Sequence, residues 1–118
     1  MKKIYHLGKC TTCQAIINET DIDKKGFQMQ DIRTEKITRA QLDEMKKMAG
    51  SYEALFSRRA IKYKELGLKY KKLEEKDYRN FILQEDTLLK RPVVIIHDKI
   101  FIGSEKKNVE ALKKAVTQ

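Results

Sequence analysis

The stretch IYHLGKCTTCQAIINE, residues 4–19, sets two cysteines, Cys10 and Cys13, between a short apolar run that breaks at Gly8 and a segment of helical spacing. Residues 2–7, KKIYHL, read as a strand, and residues 11–20, TTCQAIINET, put Ile16 and Ile17 on one side of a short helix. A turn-rich break, DIDKKG (21–26), leads to FQMQDI (27–32), whose apolar and polar residues alternate as in a half-buried strand. Two strands joined through a helix run parallel with a right-handed crossover, which commits the first third of the chain to a β-α-β unit.

The far end carries a different signal. RPVVIIHDKIFIG contains two β-rich runs, 93–96 and 99–102, separated only by His97 and Asp98, and so close a link makes the pair an antiparallel hairpin. A last helix follows from Ser104 and Glu105, with Val109, Leu112 and Val116 as its apolar stripe. Between the two ends the pattern is helical. Thr38 to Gln41 forms a capping box, Leu42, Met45 and Met48 share a face, and Gly50 closes the helix. SYEALFSRRAIKYKELG continues the helical reading through Leu55, Phe56, Ile61 and Leu66, and residues 74–89 add one or two more helices. The order is β-α-β, helical insertion at about 36–90, then β-β-α, the layout of an α/β thioredoxin-like fold around a central mixed sheet. No repeat, low-complexity tract or linker divides it, so residues 1–118 are expected to form one domain.

Bulk composition narrows the function classes. A chain of this length buries roughly 65% of its unfolded surface, enough for a core without disulfide staples. No apolar run approaches the roughly 20 residues that cross a bilayer, and the apolar part of MKKIYHLGK is too short for a signal peptide. A cytoplasmic location with no membrane partner follows as the default expectation. The net charge of +9 favours an anionic substrate or an acidic partner. Its basic residues, though, sit in mixed runs such as KYKELGLKYKKLEEKDYR, the pattern of a solvated helix surface, and no aromatic-plus-basic patch stands out. Nucleic acid is therefore not the expected ligand.

In a reducing compartment a close cysteine pair leans toward catalysis, redox sensing or metal. Three readings of Cys10 and Cys13 stay open on the residues alone: a redox pair, part of a zinc site, or two buried thiols acting as small apolar fillers. Zinc needs four ligands, and the remaining soft ligands are His6 and the isolated His97, so no metal site is expected. At a strand-to-helix junction the redox reading has a physical basis. Amide donors at a helix N-terminus favour an anion, so Cys10 would ionise readily as nucleophile, and Cys13, one turn deeper, would be the more buried resolving thiol. His6, four residues ahead of Cys10, ends the strand that leads into the loop.

Four further motifs run in order along the chain: YHLGKC, FSRRAIKYKELGL, RPVVI and IFIGSE. On these the sequence resembles the glutaredoxin-linked arsenate reductase (ArsC) family, which includes the Spx transcription regulators and relatives of the YffB type. The resemblance implies Cys10 as the nucleophile toward an oxyanion or a disulfide, with His6 tuning it. It implies Arg59, rather than the adjacent Arg58, and Arg91 as anion-binding arginines, and a cis Pro92 facing the cysteine. From the residues alone, a proline opening a strand costs no ladder donor, and two guanidiniums can lower a thiol pKa and grip a tetrahedral oxyanion. No bound cofactor is implied; glutathione or glutaredoxin would be the electron donor, with glutaredoxin or thioredoxin as the partner protein. Three positions depart from the glutathione-dependent reductases: Gln14 stands where they carry a basic residue, Gly103 near where they carry an arginine, and Cys13 is additional. These departures side with the Spx and YffB-like branch, although Spx carries arginine where Gln14 stands.

The function expected is a thiol-dependent oxidoreductase, with Cys13 or glutathione resolving the intermediate. The alternative is an Spx-like redox-switched regulator that binds the RNA polymerase α-subunit.

Overall fold

The computed structural model describes residues 1–117. Its strands are β1 (Lys2–His6), β2 (Gln28–Asp31), β3 (Val93–Ile96) and β4 (Lys99–Ile102). Its α-helices are α1 (Thr11–Thr20), α2 (Arg39–Ala49), α3 (Ile61–Glu65), α4 (Glu75–Gln84) and α5 (Lys106–Thr117). The chain divides into two compact units: Met1–Glu35 together with the segment from Arg91 onward, and Lys36–Lys90.

The first unit is built on a four-stranded sheet in the order β2-β1-β3-β4. The α1 crossover makes β1 and β2 parallel, with Ile4 opposite Met29. The antiparallel partner on the other side of β1 is β3, with Ile4 opposite Val94, and β3 pairs antiparallel with β4. The sheet is therefore mixed, and the fold is α/β and thioredoxin-like. The hairpin turns at His97 and Asp98, where His97 takes the left-handed φ of 54° that a two-residue link uses at its first position. The His97 amide also donates to the Met1 carbonyl at 2.7 Å, which fastens the start of β1 to that turn.

One face of the sheet holds the core of this unit. Ile4 and Val94 bury against Ile16 and Ile17 of α1, Ile22, Phe27 and Leu112 of α5. The apolar stripe of α5 meets this cluster as its spacing requires, Leu112 fully and Val109 and Val116 partly buried. A half-exposed ion pair between Lys113 and Glu19, 3.0 Å, joins α5 to α1, and such pairs contribute about 0–1 kcal/mol.

In the second unit the capping box forms as read: the Gln41 amide donates to Thr38 Oγ1 at 3.0 Å and the Thr38 amide to Gln41 Oε1 at 3.1 Å. Gly50, at φ 94°, closes α2. The helix expected to continue from Ser51 does not. A 3-10 turn at Glu53–Leu55 takes its place, Phe56 is extended and bridges Leu89, and only the short α3 follows. The cause lies in side-chain acceptors that claim the amides a helix would use: the Glu75 carboxylate takes the Tyr52 and Glu53 amides at 2.8 and 3.1 Å, and Ser51 Oγ takes that of Ala54 at 3.1 Å. The apolar stripe splits in consequence. Leu55 and Phe56 are fully buried, whereas Ile61 is 74% and Leu66 44% exposed. The 74–89 segment forms α4 and a 3-10 turn at Asp86–Leu88. Asp43 ties α2 to α4, accepting from Arg79 Nε at 2.9 Å and from the Tyr52 hydroxyl at 2.6 Å, and these bonds, that from Arg79 foremost, hold its carboxyl down at about 2.

Truncating Leu112, 1% exposed in the core between α5 and the sheet, leaves a cavity that little can fill. Leu112→Ala is expected to lower stability by about 2–5 kcal/mol, read as a fall in the urea midpoint at unchanged slope.

Candidate functional site

The site forms where β1 ends. His6, its last residue, lies opposite Asp31 at the end of β2, and the His6 carbonyl accepts from the Ile32 amide at 2.9 Å. Past His6 the chain turns through Gly8. The Gly8 amide donates to Asp31 Oδ2 at 3.1 Å, and the Arg33 amide donates to Asp31 Oδ1 at 3.0 Å. One carboxylate thus clasps the cysteine loop to the end of β2. A Cβ at position 8 would stand 2.6 Å from Asp31 Oδ2, so this close approach calls for glycine. The Cys10 amide then donates to the Leu7 carbonyl at 3.1 Å and α1 begins.

Cys10 is the N-cap of α1. Its backbone is extended (φ −82°, ψ 108°), its carbonyl accepts from the Gln14 amide at 3.0 Å, and its Sγ accepts from the Cys13 amide at 3.4 Å. The sulfur does what a serine or aspartate oxygen does at other helix starts. Cys10 is half-buried, whereas Cys13 is fully buried. Burial alone would push the Cys10 thiol up. The Cys13 amide and thiol, the Arg91 guanidinium and the Thr12 amide outweigh it and hold Cys10 below the ordinary thiol value. Cys13 goes the other way: burial first, then the neighbouring Cys10 sulfur, push it up to about 12. Two thiols one turn apart thus have opposite character, one disposed to ionise and one to stay protonated.

Cys10 opens into a cavity of about 510 Å³ that also receives Lys9, Asp31, Arg33, Thr34 and Arg91. Arg91 brings the charge that matters most to the thiolate. Its Nε and Nη1 are buried without a hydrogen-bond acceptor among the described residues. A buried donor left unpaired costs about 1–3 kcal/mol, so this arrangement favours an anion that supplies acceptors.

The other residues singled out from sequence fall as follows. Pro92 follows a cis peptide bond and opens β3. His6 is half-buried with Nδ1 unpaired, and Gln14 is half-buried on α1; neither lines the cavity, nor does Pro92. Arg59 lies in the second unit, exposed, just ahead of α3. Its neighbour Arg58 is committed elsewhere, its Nη2 donating to Glu53 Oε2 at 2.9 Å and to the Tyr78 hydroxyl at 3.0 Å. Among the described residues no group of three or more His, Cys, Asp or Glu side chains is placed to hold a metal ion. Sequence reasoning passed over Asp31, Lys9 and Arg33. The available signal was position, because ligands gather at the carboxyl ends of parallel strands, where Asp31 stands.

Removing the Arg91 guanidinium withdraws an influence that favours the Cys10 thiolate. Arg91→Ala is expected to move the Cys10 titration midpoint upward and to slow its alkylation at neutral pH several-fold. The pH profile of iodoacetamide labelling, read by mass at Cys10, checks it.

No curated protein matches the chain in sequence. Solved structures share its fold. A YffB protein is 19% identical with a TM-score of 0.82, covering 98% of this chain and 99% of its own. An arsenate reductase from Vibrio cholerae is 18% identical with a TM-score of 0.75, covering 95% of each chain. An arsenate reductase (ArsC) related protein from Brucella melitensis is 19% identical with a TM-score of 0.69, covering 93% of this chain and 92% of its own. The sequence model of the ArsC family matches residues 5–112, nearly the whole length, and the chain belongs to the ArsC family.

Proposed function

We propose that this protein is a thiol-dependent oxidoreductase whose Cys10 thiolate attacks an oxyanion, arsenate or one of similar chemistry. The observation that carries this reading is the Cys10 sulfur at the α1 N-terminus, in one cavity with Arg91 and its two unpaired buried nitrogens. A helix N-terminus and a guanidinium stabilise the attacking thiolate and a tetrahedral anion alike. Membership of the ArsC family supports the oxyanion class of substrate and a redox partner.

The chemistry balances with two thiols. The Cys10 thiolate attacks arsenic(V), an S–As bond forms, and one arsenic-bound oxygen takes up protons and leaves as water. A second thiol attacks the Cys10 sulfur. The S–As bond breaks with its electron pair kept by arsenic, arsenite leaves, and a disulfide remains. Arsenic gains two electrons and the two thiols lose them; two external thiol equivalents, from glutathione or glutaredoxin, restore the pair by exchange and leave as a disulfide. Cys13, one turn from Cys10, or glutathione is that second thiol in this reading. Part of what keeps Cys13 protonated is the neighbouring Cys10 sulfur, and bonding Cys10 to substrate relieves that part. Pro92, His6 and Gln14 then act around the site rather than in it, and an anion-binding Arg59 rests on the family resemblance alone.

The presence of Cys13 and the identities of Gln14 and Gly103 support a reading within the Spx and YffB-like branch of the family. An RNA polymerase partner has no support among the described residues.

The reading is tested by NADPH consumption in a coupled system of glutathione, glutaredoxin and glutathione reductase. Arsenate-dependent turnover is expected for the wild type and its loss in Cys10→Ser. Cys13→Ser is expected to keep turnover if glutathione resolves and to lose it if Cys13 does. No turnover, with a Cys10–Cys13 disulfide still forming under peroxide, would replace the enzyme by a redox switch.

A further inference from the structure

A carboxylate in an anion-binding cavity is an anomaly that the reaction above does not use. Asp31 shares the cavity with Cys10, Lys9, Arg33 and Arg91. Each of its oxygens accepts one backbone amide, Oδ2 from Gly8 and Oδ1 from Arg33. Those two bonds fix its orientation. They also leave it acceptor capacity, since an ionised carboxylate has roughly four lone-pair sites. An acceptor so held repels a ligand that brings only acceptors and welcomes one that brings a donor. The Gly8 approach deepens the constraint, for the carboxylate stands where a side chain at position 8 would otherwise be.

We propose that Asp31 selects a tetrahedral oxyanion that still carries a hydroxyl. Arg91, through its unpaired Nε and Nη1, takes the anionic oxygens, and Asp31 accepts the remaining O–H. Arsenate and phosphate at neutral pH carry such a proton. Sulfate has the same shape and carries none, so it presents a bare oxygen to the Asp31 carboxylate and is rejected. Asp31 is in this role a specificity residue. The same discrimination keeps an abundant, unreactive anion away from the thiolate. The inference rests on the oxyanion reading above and adds the selection rule to it.

The test follows protection of Cys10 in the full chain against iodoacetamide, an uncharged alkylator, in phosphate, in sulfate and in chloride at matched ionic strength. Phosphate is expected to slow alkylation several-fold, with sulfate binding weaker by roughly tenfold or more, as sites built around a ligand hydroxyl discriminate. In Asp31→Asn the charge is gone and an amide donor is present, so sulfate is expected to begin protecting. Sulfate protecting the wild type as well as phosphate does would overturn the selection and leave the oxyanion site standing. A folded Asp31→Asn that still excludes sulfate would likewise overturn the role of Asp31. Protection by neither anion would remove the oxyanion reading and the selection with it. Circular dichroism checks the variant's fold; if it does not fold, the wild-type comparison decides alone.

Discussion

Strand β1 is hydrogen-bonded on both sides, parallel to β2 and antiparallel to β3, and this double pairing is the constraint from which the site is assembled. A central strand has no freedom to slip, because a shift of one residue would turn Ile4 out of the core. With β1 held, the point where it ends is held, and so is the loop that starts α1. The strand on one side delivers Asp31 to that point, and the one on the other is led in by Arg91 and Pro92. Three segments distant in sequence thus meet at one end of the sheet without any of them needing rigidity of its own.

The local chemistry follows from that placement. Cys10 is held below the ordinary thiol value in part because its sulfur replaces an N-capping oxygen, so the amide that would otherwise be an orphan at the helix start stabilises a thiolate. Arg91 adds a full charge to the partial one. Cys13 lies one turn on, where the same helix carries it into the core and burial reverses the effect. A spacing of two residues is what separates a thiol disposed to ionise from one kept protonated, since it moves the second sulfur from the mouth of the helix to its buried side. Asp31 works against this positive field at some electrostatic cost, and its two backbone bonds are the return in loop geometry.

The second unit depends on a different balance. Its long middle reads as helix by propensity and apolar spacing, yet carboxylate and hydroxyl side chains capture the backbone amides just after Gly50 and divert the chain into a 3-10 turn and an extended Phe56. Phe56 is then clasped by the rings of Tyr78 and Tyr63, with centroids at 4.9 and 6.0 Å, and by the bridge to Leu89. Tertiary partners outbid a local preference worth a few tenths of a kcal/mol per residue, roughly the spread among ordinary residues.

Taken by itself, the sequence determined the elements whose signals are local. The period-2 run before Asp31, the two-residue link at His97 and Asp98, the Thr38 to Gln41 box and the stripe of α5 each carry their structure within about a dozen residues, and the β-α-β and β-β-α order then leaves few topologies. It also placed Cys10 at a helix start, because that depends only on where the strand breaks. The tertiary structure alone decided what shares the cavity with that sulfur. That Asp31 rather than Gln14 lines it, that Arg58 is held by Glu53 and Tyr78, and that Ile61 and Leu66 face solvent are outcomes of segments far apart in the chain competing for the same donors, acceptors and apolar contacts. Such competition has no local signature, since its energy exists only when the partners are already side by side.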